Sequence, residues 1–402
     1  VARKRLDFAL EHVDIEAPEG VLVPVQRGKF SPAIEDVVAL VKRSLEAPLE
    51  FPPLRQALTP DDHICILFTA DLPRLADLVL PIVEHVLNAC VAAERITLLC
   101  PPQVGAERLP DILSQHAPVS IELHEPAQRN KLSYLATTKA GRRVYLNRTL
   151  VDADQLVVLG RISFDAVLGY HGGLGDIFPA MSDEPTRAEF ALRVSNAMPG
   201  PRTWPTEKEV EEVGWLLGMP FVVQVIEGHG DELTHVLAGQ STAVAKAGRT
   251  LLEQQWHVRA PRSAALVIAT IEGDPGKRTM ADVTRAFASA ARVVQPGGRV
   301  VVLSRIGGAL GQSLELAQQA DDLTSALSQA RQQKLADMQQ IWELATAAQH
   351  AQLYLLSNLP RETSEGLFVT PLDRPEQLQN LVNQADSCLV LPDAHRILAE
   401  VA

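Results

Sequence analysis

The sequence predicts an α/β protein of two α/β domains, and three observations carry that reading. Strand-length apolar runs with few charges recur along the chain, as buried parallel strands require. Helix-patterned stretches separate them, which is the alternation of a layered α/β fold. A fresh round of the same alternation starts past residue 260, so the boundary falls on VRAPRS and the expected domains are 1–260 and 261–402. A chain of 402 residues is long enough for two separate cores.

The elements follow in order. The first forty-five residues mix charge and proline until SPAIEDVVALVKRSLEA, which reads as an amphipathic helix with Ser31 as cap and Pro32 at the first helical position. HICILFTA is a buried strand, ended by Asp71 and followed by a helix from about Leu75 to Ala93. RITLLCPP (strand), ERLPDILSQH (short helix) and PVSIELHEP (strand) continue the alternation. LSYLATT and RVYLNRT, joined by KAGR, form a hairpin, and DQLVVLGRI is another buried strand. FVVQVIEG and ELTHVLAG pair across the turn GHGD, and STAVAKAGRTLLEQQWHV is a long helix. Beyond residue 260 come the strand SAALVIATI, the helix ADVTRAFASAARVV, the turn QPGG and the strand RVVVLSR. A helical stretch runs from about Leu314 to His350, and AQLYLLSN, GLFVTP and SCLVLPDA are the last strands, with PEQLQNLVNQ a helix between two of them.

Composition removes several function classes. Lys plus Arg is 37 against 49 for Asp plus Glu, a formal charge of -12, and no basic patch offsets it, so nucleic acid is not an expected partner. The most apolar windows are broken by charge and proline well short of the roughly 20 residues a membrane span needs. No cleavable signal pattern opens the chain, and the four cysteines fall singly without CxxC spacing, which together point to a reducing, cytoplasmic setting. GxxxxGK[ST], HExxH and GxSxG are all missing, and with them the marks of P-loop, zincin and serine-hydrolase chemistry.

Two segments could carry chemistry. In GRISFDAVLGYHGGLGDIFPAMSDEPT a strand runs into a glycine-dense loop holding Asp165, His171, Asp176, Asp183 and Glu184. Glycines at 169, 172, 173 and 175 let backbone approach a ligand or adopt positive φ. An imidazole among carboxylates can bind a metal, with His171 and Asp176 as donors, or move protons; the plain alternative is a tight crossover loop with solvated polar residues. The second segment is Asp71 and Arg74, at a strand end where α/β sheets bind ligands. The arginine could recognise a carboxylate, or Asp71 could simply cap a helix.

Taken together these segments resemble the nickel-dependent lactate racemase family, the 2-hydroxyacid racemases and epimerases that use a nickel-pincer nucleotide. The resemblance runs through PPLRQALTPDDHICILFTADLPR, RVYLNRTLVDADQLVVLGRI, GYHGGLGDIFP (similar to the family's GYSGG–x–K–x–x–x–P), EEVGWLLGMPFVVQVIEG and ADVTRAFASAARVVQPGGRVVVLSR, in that order. It implies two α/β domains with the active-site cleft between them. Asp71 and Arg74 fall on the family's substrate-binding Asp–x–x–Arg, and Asp282 and Arg285 fall on its Gln and Lys. Gly172, Gly173 and Gly175 fall on the cofactor loop, with Gly175 where the family anchors the cofactor through a lysine. One family acid/base histidine falls on Asp165, the other on Gln103 or Val104, and EFALRVSN lacks the nickel-ligating histidine.

The implied activity is racemisation or epimerisation of a small 2-hydroxy acid or sugar acid, with Asp165 and His171 as acid/base groups. A nickel-pincer nucleotide would be held without a covalent tether; another divalent metal, or none, is the alternative. A different metal-dependent enzyme on this scaffold and a non-catalytic binder of small carboxylates are the competing readings.

Overall fold

The computed structural model describes residues 2–69, 71–101, 119–199 and 205–402. Gln103, Val104 and the helix predicted over residues 107–116 lie outside the described residues. The chain divides into two compact units: Val1–Phe30, His229–Asp231 and Glu253–Ala402 form one, and Ser31–Gly228 with Glu232–Leu252 form the other. The chain thus starts in the first unit, builds most of the second, returns briefly at 229–231, and finishes in the first.

The opening residues form a hairpin that the charge-rich sequence did not suggest. Strands β1 (Ala2–Phe8) and β2 (Glu11–Ala17) pair antiparallel. Charges occupy the exposed positions, while Leu6, Phe8, Ile15 and Ala17 point into a core of the first unit. Only these few alternate residues are apolar, too short a period-2 signal to stand out. A short β3 (Gln26–Arg27) follows.

In the second unit, Val37–Glu46 is helical, five residues later than Ser31 and Pro32 suggested. Asp36 is the working cap, its carboxylate accepting from the Ala39 amide at 2.9 Å, whereas the Ser31 hydroxyl meets His235 Nε2 at 3.2 Å. Strands β4 (Ile64–Phe68), β5 (Ile96–Cys100) and β6 (Ser120–Leu123) pair parallel. The predicted hairpin is β7 (Leu132–Thr137) with β8 (Arg143–Asn147). β9 (Gln155–Arg161) lies parallel to β4, and the loop after it carries a second hairpin, β10 (Ser163–Asp165) with β11 (Gly169–His171). β12 (Phe221–Glu227) is parallel to β9, and β13 (Leu233–Gln240) closes that edge antiparallel. The sheet order is β13-β12-β9-β4-β5-β6. Side chains alternate across it: Val157, Leu159, Val223 and Val225 join one core, Val158 and Val222 the other. Two buried faces explain the near-continuous apolar runs of β4, β9 and β12.

The rest of the first unit has β14 (His257–Ala260), β15 (Ala264–Thr270), β16 (Val294–Leu303), β17 (Ala351–Leu356), β18 (Thr370–Leu372), β19 (Cys388–Leu391) and β20 (Leu398–Val401). Five of them form a parallel sheet of order β18-β17-β16-β15-β19. Helices Met280–Ala291 and Met338–His350 bury apolar stripes in this unit. Among the described residues no helix is long and apolar enough to cross a membrane.

Candidate functional site

The glycine loop packs back over the carboxyl ends of β9 and β12. Asp165 begins the β10–β11 turn, its Oδ1 accepting from the Val167 and Leu168 amides at 2.7 Å each. After His171 the chain reverses through Gly172 (φ +124) and Gly173 (φ +57) into the short helix Leu174–Ile177. A Cβ on Gly172 would sit 2.6 Å from both the Arg161 carbonyl and Gln224 Oε1, so only glycine permits this approach. Gly160 does the same for Asp176, whose Oδ2 lies 2.1 Å from where its Cβ would be.

That arrangement joins His171 to Asp176, Nε2 to Oδ1 at 2.8 Å, with Asp176 fully buried. Burial pulls the His171 pKa down, but the Asp176 charge and hydrogen bond, helped by the Asp165 charge, outweigh it and leave the ring titrating above an ordinary histidine. With Nε2 held by Asp176, Nδ1 is the nitrogen left to a bound molecule.

His171 lines a cavity of about 350 Å³ on this face of the sheet. Val222 and Gln224 of β12 contribute to it, with the glycine loop and the helices Pro205–Leu216 and Ser241–Trp256. Leu168, Leu174, Val210 and Val244 make its apolar wall. Two buried polar atoms in it have no hydrogen-bond partner: Oε1 of Gln224, a residue 1% exposed, and Oγ of Ser241, 3% exposed. Lys246 is exposed, and Arg249 is ion-paired with Glu207 and lies 4.8 Å above the Tyr170 ring.

The edge of the same sheet is bonded differently. Arg161 holds Asp71 twice, through Oδ2 at 2.9 Å and the main-chain oxygen at 2.8 Å, and pairs with Glu227 at 3.2 Å. Asp71 therefore serves this ion pair rather than capping a helix. Arg74, itself at the helix start with φ +54, bonds Asp77 at 2.8 Å and the carbonyls of Ile34 and Glu35 at 3.3 and 3.4 Å.

Of the residues singled out in the sequence, the cavity thus gathers His171, Gly172, Gly173 and Gly175, with Asp176 behind His171. Asp165 holds a turn, and Asp71 and Arg74 stand at the sheet edge. Asp282 and Arg285 belong to the first unit, where Asp282 closes a capping box, accepting from the Thr279 amide at 2.8 Å, and Arg285 Nε is buried without a hydrogen bond.

Sequence reasoning missed a cluster in that first unit. His229 Nδ1 lies 3.0 Å from Asp393 Oδ2 and 3.8 Å from Glu272 Oε1. Among the described residues these three form the donor group close enough to share a metal ion. Asp393 also accepts from the Gly230 and Glu272 amides, and Phe30 stacks on His229 at 4.4 Å. Burial and the Asp393 charge push Glu272 up to about 7, while the hydrogen bond to Asp393 raises His229. Asp393 is held low: burial opposes its charge, but His229 and Arg396 prevail. Its only signal was a polar residue at each of three strand ends.

A covalently anchored nickel-pincer nucleotide does not fit this loop. Gly175 has no nucleophile with which to form the bond, and a Cβ there would press on Leu168 Cδ1 at 2.9 Å.

Fold and loop define a class: an α/β protein with a glycine-rich hairpin loop over the carboxyl ends of a parallel sheet. Residues 8–190 match the lactate racemase N-terminal domain. The lactate racemase of Thermoanaerobacterium thermosaccharolyticum is 20% identical over 297 residues, covering 69% of this chain and 68% of that one. Among solved structures, the lactate racemase apoprotein from the same organism aligns with a TM-score of 0.81 at 16% identity, over 99% of this chain and 100% of that one. A structural-genomics protein from Thermotoga maritima gives 0.68 at 12% identity, over 93% and 100%. Residues 8–190 thus resemble the lactate racemase N-terminal domain, and the whole chain shares the fold of the lactate racemase apoprotein.

Proposed function

We propose that this protein is a 2-hydroxyacid racemase or epimerase whose proton-handling group is His171. The observation that supports this reading most directly is the His171–Asp176 pair on a cavity of ligand size. Asp176 fixes the ring and stabilises its charged form, so Nδ1 can take and return the hydroxyl proton of a bound 2-hydroxy acid. Burial of Asp176 keeps water away from the carboxylate that holds the ring, while His171 itself stays part-exposed to the cavity. Asp165 supports the charge on the ring from the turn it closes. Gly172 and Gly173 bring main chain, rather than side chain, to the cavity. Inversion also needs an acceptor that takes the α-hydrogen as hydride and gives it back; a nickel-pincer nucleotide would supply that chemistry and, with Gly175 in place of a lysine, would be held without a covalent bond. No disulfide joins the four cysteines, which suits the cytoplasm.

The test is incubation with single enantiomers of a panel of 2-hydroxy acids and sugar acids, read by chiral chromatography, with nickel measured in the protein as purified. Interconversion that falls by about 10²-fold or more in His171→Asn supports the proposal. No interconversion of any acid, with a nickel-loaded racemase active in parallel, overturns it.

A further inference from the structure

We propose that the carboxyl ends of β15 and β19 hold a divalent transition-metal ion, zinc or manganese, bound by His229 Nδ1, Glu272 Oε1 and Asp393 Oδ2. The site lies wholly within the first unit and stands apart from the racemase reading.

The topology brings the three residues to a place where ligands bind. From β15 the sheet runs through β16, β17 and β18 on one side, whereas β19 pairs with β15 on the other. β15 and β19 therefore flank the point where the strand order reverses, and open parallel sheets bind ligands outside the carboxyl ends at such a point. Glu272 follows the end of β15 at Thr270, and Asp393 follows the end of β19 at Leu391. His229 meets both through the short return of the chain at 229–231.

The spacing suits an ion. Two donor atoms about 2.1 Å from a tetrahedral ion stand about 3.4 Å from each other. His229 Nδ1 lies 3.0 Å from Asp393 Oδ2 and 3.8 Å from Glu272 Oε1, and the three atoms fall within 4.8 Å of one another. Asp393 is fully buried, and the Gly230 and Glu272 amides orient its carboxylate, as outer partners do for metal-binding carboxylates. The side chains of His229 and Glu272 are 35% and 20% exposed, which gives an ion its way in from solvent. Nearby cations are engaged: Arg278 pairs with Asp231 at 2.8 Å, and Arg27 donates to the Val390 carbonyl at 3.3 Å. Arg396 sits 3.6 Å from Oδ1 of Asp393, which leaves Oδ2 to the ion.

A second imidazole supports the assignment independently. His395 is 5% exposed, neither of its ring nitrogens has a hydrogen-bond partner, and Nδ1 lies 4.0 Å from Asp393 Oδ1. Buried polar groups are nearly always paired, so two unused ring nitrogens beside this carboxylate mark a place short of a partner. Imidazole with carboxylates favours zinc or manganese over the magnesium and calcium that all-oxygen sites take. Three protein ligands leave a position open to water or to a substrate oxygen.

The experiment is calorimetric titration of the full chain, stripped with EDTA and dialysed, with zinc, manganese and magnesium chlorides, alongside thermal melts. One zinc or manganese ion per chain is expected, with a raised melting temperature, and magnesium should bind about tenfold or more weakly. Glu272→Gln and His229→Gln should each weaken the ion about tenfold or more. Both replace partly exposed side chains, and circular dichroism shows that they fold. His171→Asn, at the other histidine–carboxylate pair, should leave the affinity unchanged. The proposal is overturned by no bound ion, by magnesium as tight as zinc, or by full affinity in both Glu272→Gln and His229→Gln. Loss of the ion in His171→Asn alone would move the metal to the second unit and overturn it equally.

Discussion

The carboxyl edge of the second unit's sheet, where β4, β9 and β12 end, and the cavity beside it share strand β12 yet are bonded in opposite ways. At the edge, Arg161 answers Asp71 and Glu227, and Arg74 answers Asp77 and two carbonyls. In the cavity, Gln224 Oε1 and Ser241 Oγ answer nothing. Charge at a strand end drew attention in the sequence, but in the structure that charge is satisfied and ties segments together. The uncharged amide and hydroxyl, which drew none, are the groups still short of a partner.

The comparison can be broken in several ways. The largest effect is expected from Gly175→Lys, whose Cβ would displace Leu168 and bring an ammonium into the cavity. Overpacking against Leu168 together with a buried ammonium should cost about 3 kcal/mol or more in urea denaturation, without a gain in bound cofactor. Unchanged stability would show that the cavity opens more readily than its packing indicates.

Asp176→Asn should come next. It removes the charge that holds the His171 proton, so the imidazole pKa should drop below that of an ordinary histidine, as burial then acts unopposed. NMR titration of the ring reads this directly, and a pKa that stays raised would mean that Asp165 carries the effect.

Arg161→Met tests the edge. It leaves Asp71 and Glu227 without this cation and should lower stability by about 1–2 kcal/mol, discounted for the partial exposure of Asp71. The change in interconversion should be far smaller than that caused by His171→Asn.

The smallest effect lies in the first unit and is a matter of pH. Glu272 releases its proton near 7 when folded but near 4.5 otherwise, so folding is disfavoured as pH rises through that window. The raised His229 acts in the same sense, contributing stability below 6.5 that is lost as pH climbs through its folded value. Asp393, held low, contributes stability that is lost only in acid. Thermal melts should therefore fall by a few degrees from pH 6 to pH 8, and His229→Ala should flatten that slope.

How much of this was legible in the sequence depends on how local the cause is. The central strands β4, β9 and β12 declare themselves because both faces are buried and their apolar runs are unbroken. The β1–β2 hairpin does not, since a handful of alternating apolar residues is lost among its charges. The helix start was misplaced because Asp36, not Ser31, turned out to meet the first amides. In the site, the glycine loop and His171 stood out by composition. Asp165 also stood out as a carboxylate, but its hydrogen bonds to two amides follow from a turn that spacing alone does not show. Gln224 left one faint mark, a single amide inside the apolar run FVVQVIE. The His229, Glu272 and Asp393 cluster left almost none, because Asp393 lies more than a hundred residues from the other two and only the fold brings them together.

The order in which the chain visits its two units bears on synthesis. The first thirty residues belong to a unit whose remaining sheet is not translated until after Glu253. On the ribosome the β1–β2 hairpin must therefore wait, its apolar face without a core, while the second unit is made around an unfinished neighbour. The charges on the other face of that hairpin (Arg3 and Arg5 against Glu16 and Asp14) then have a role before the protein is complete, keeping a waiting strand edge soluble until its partners emerge.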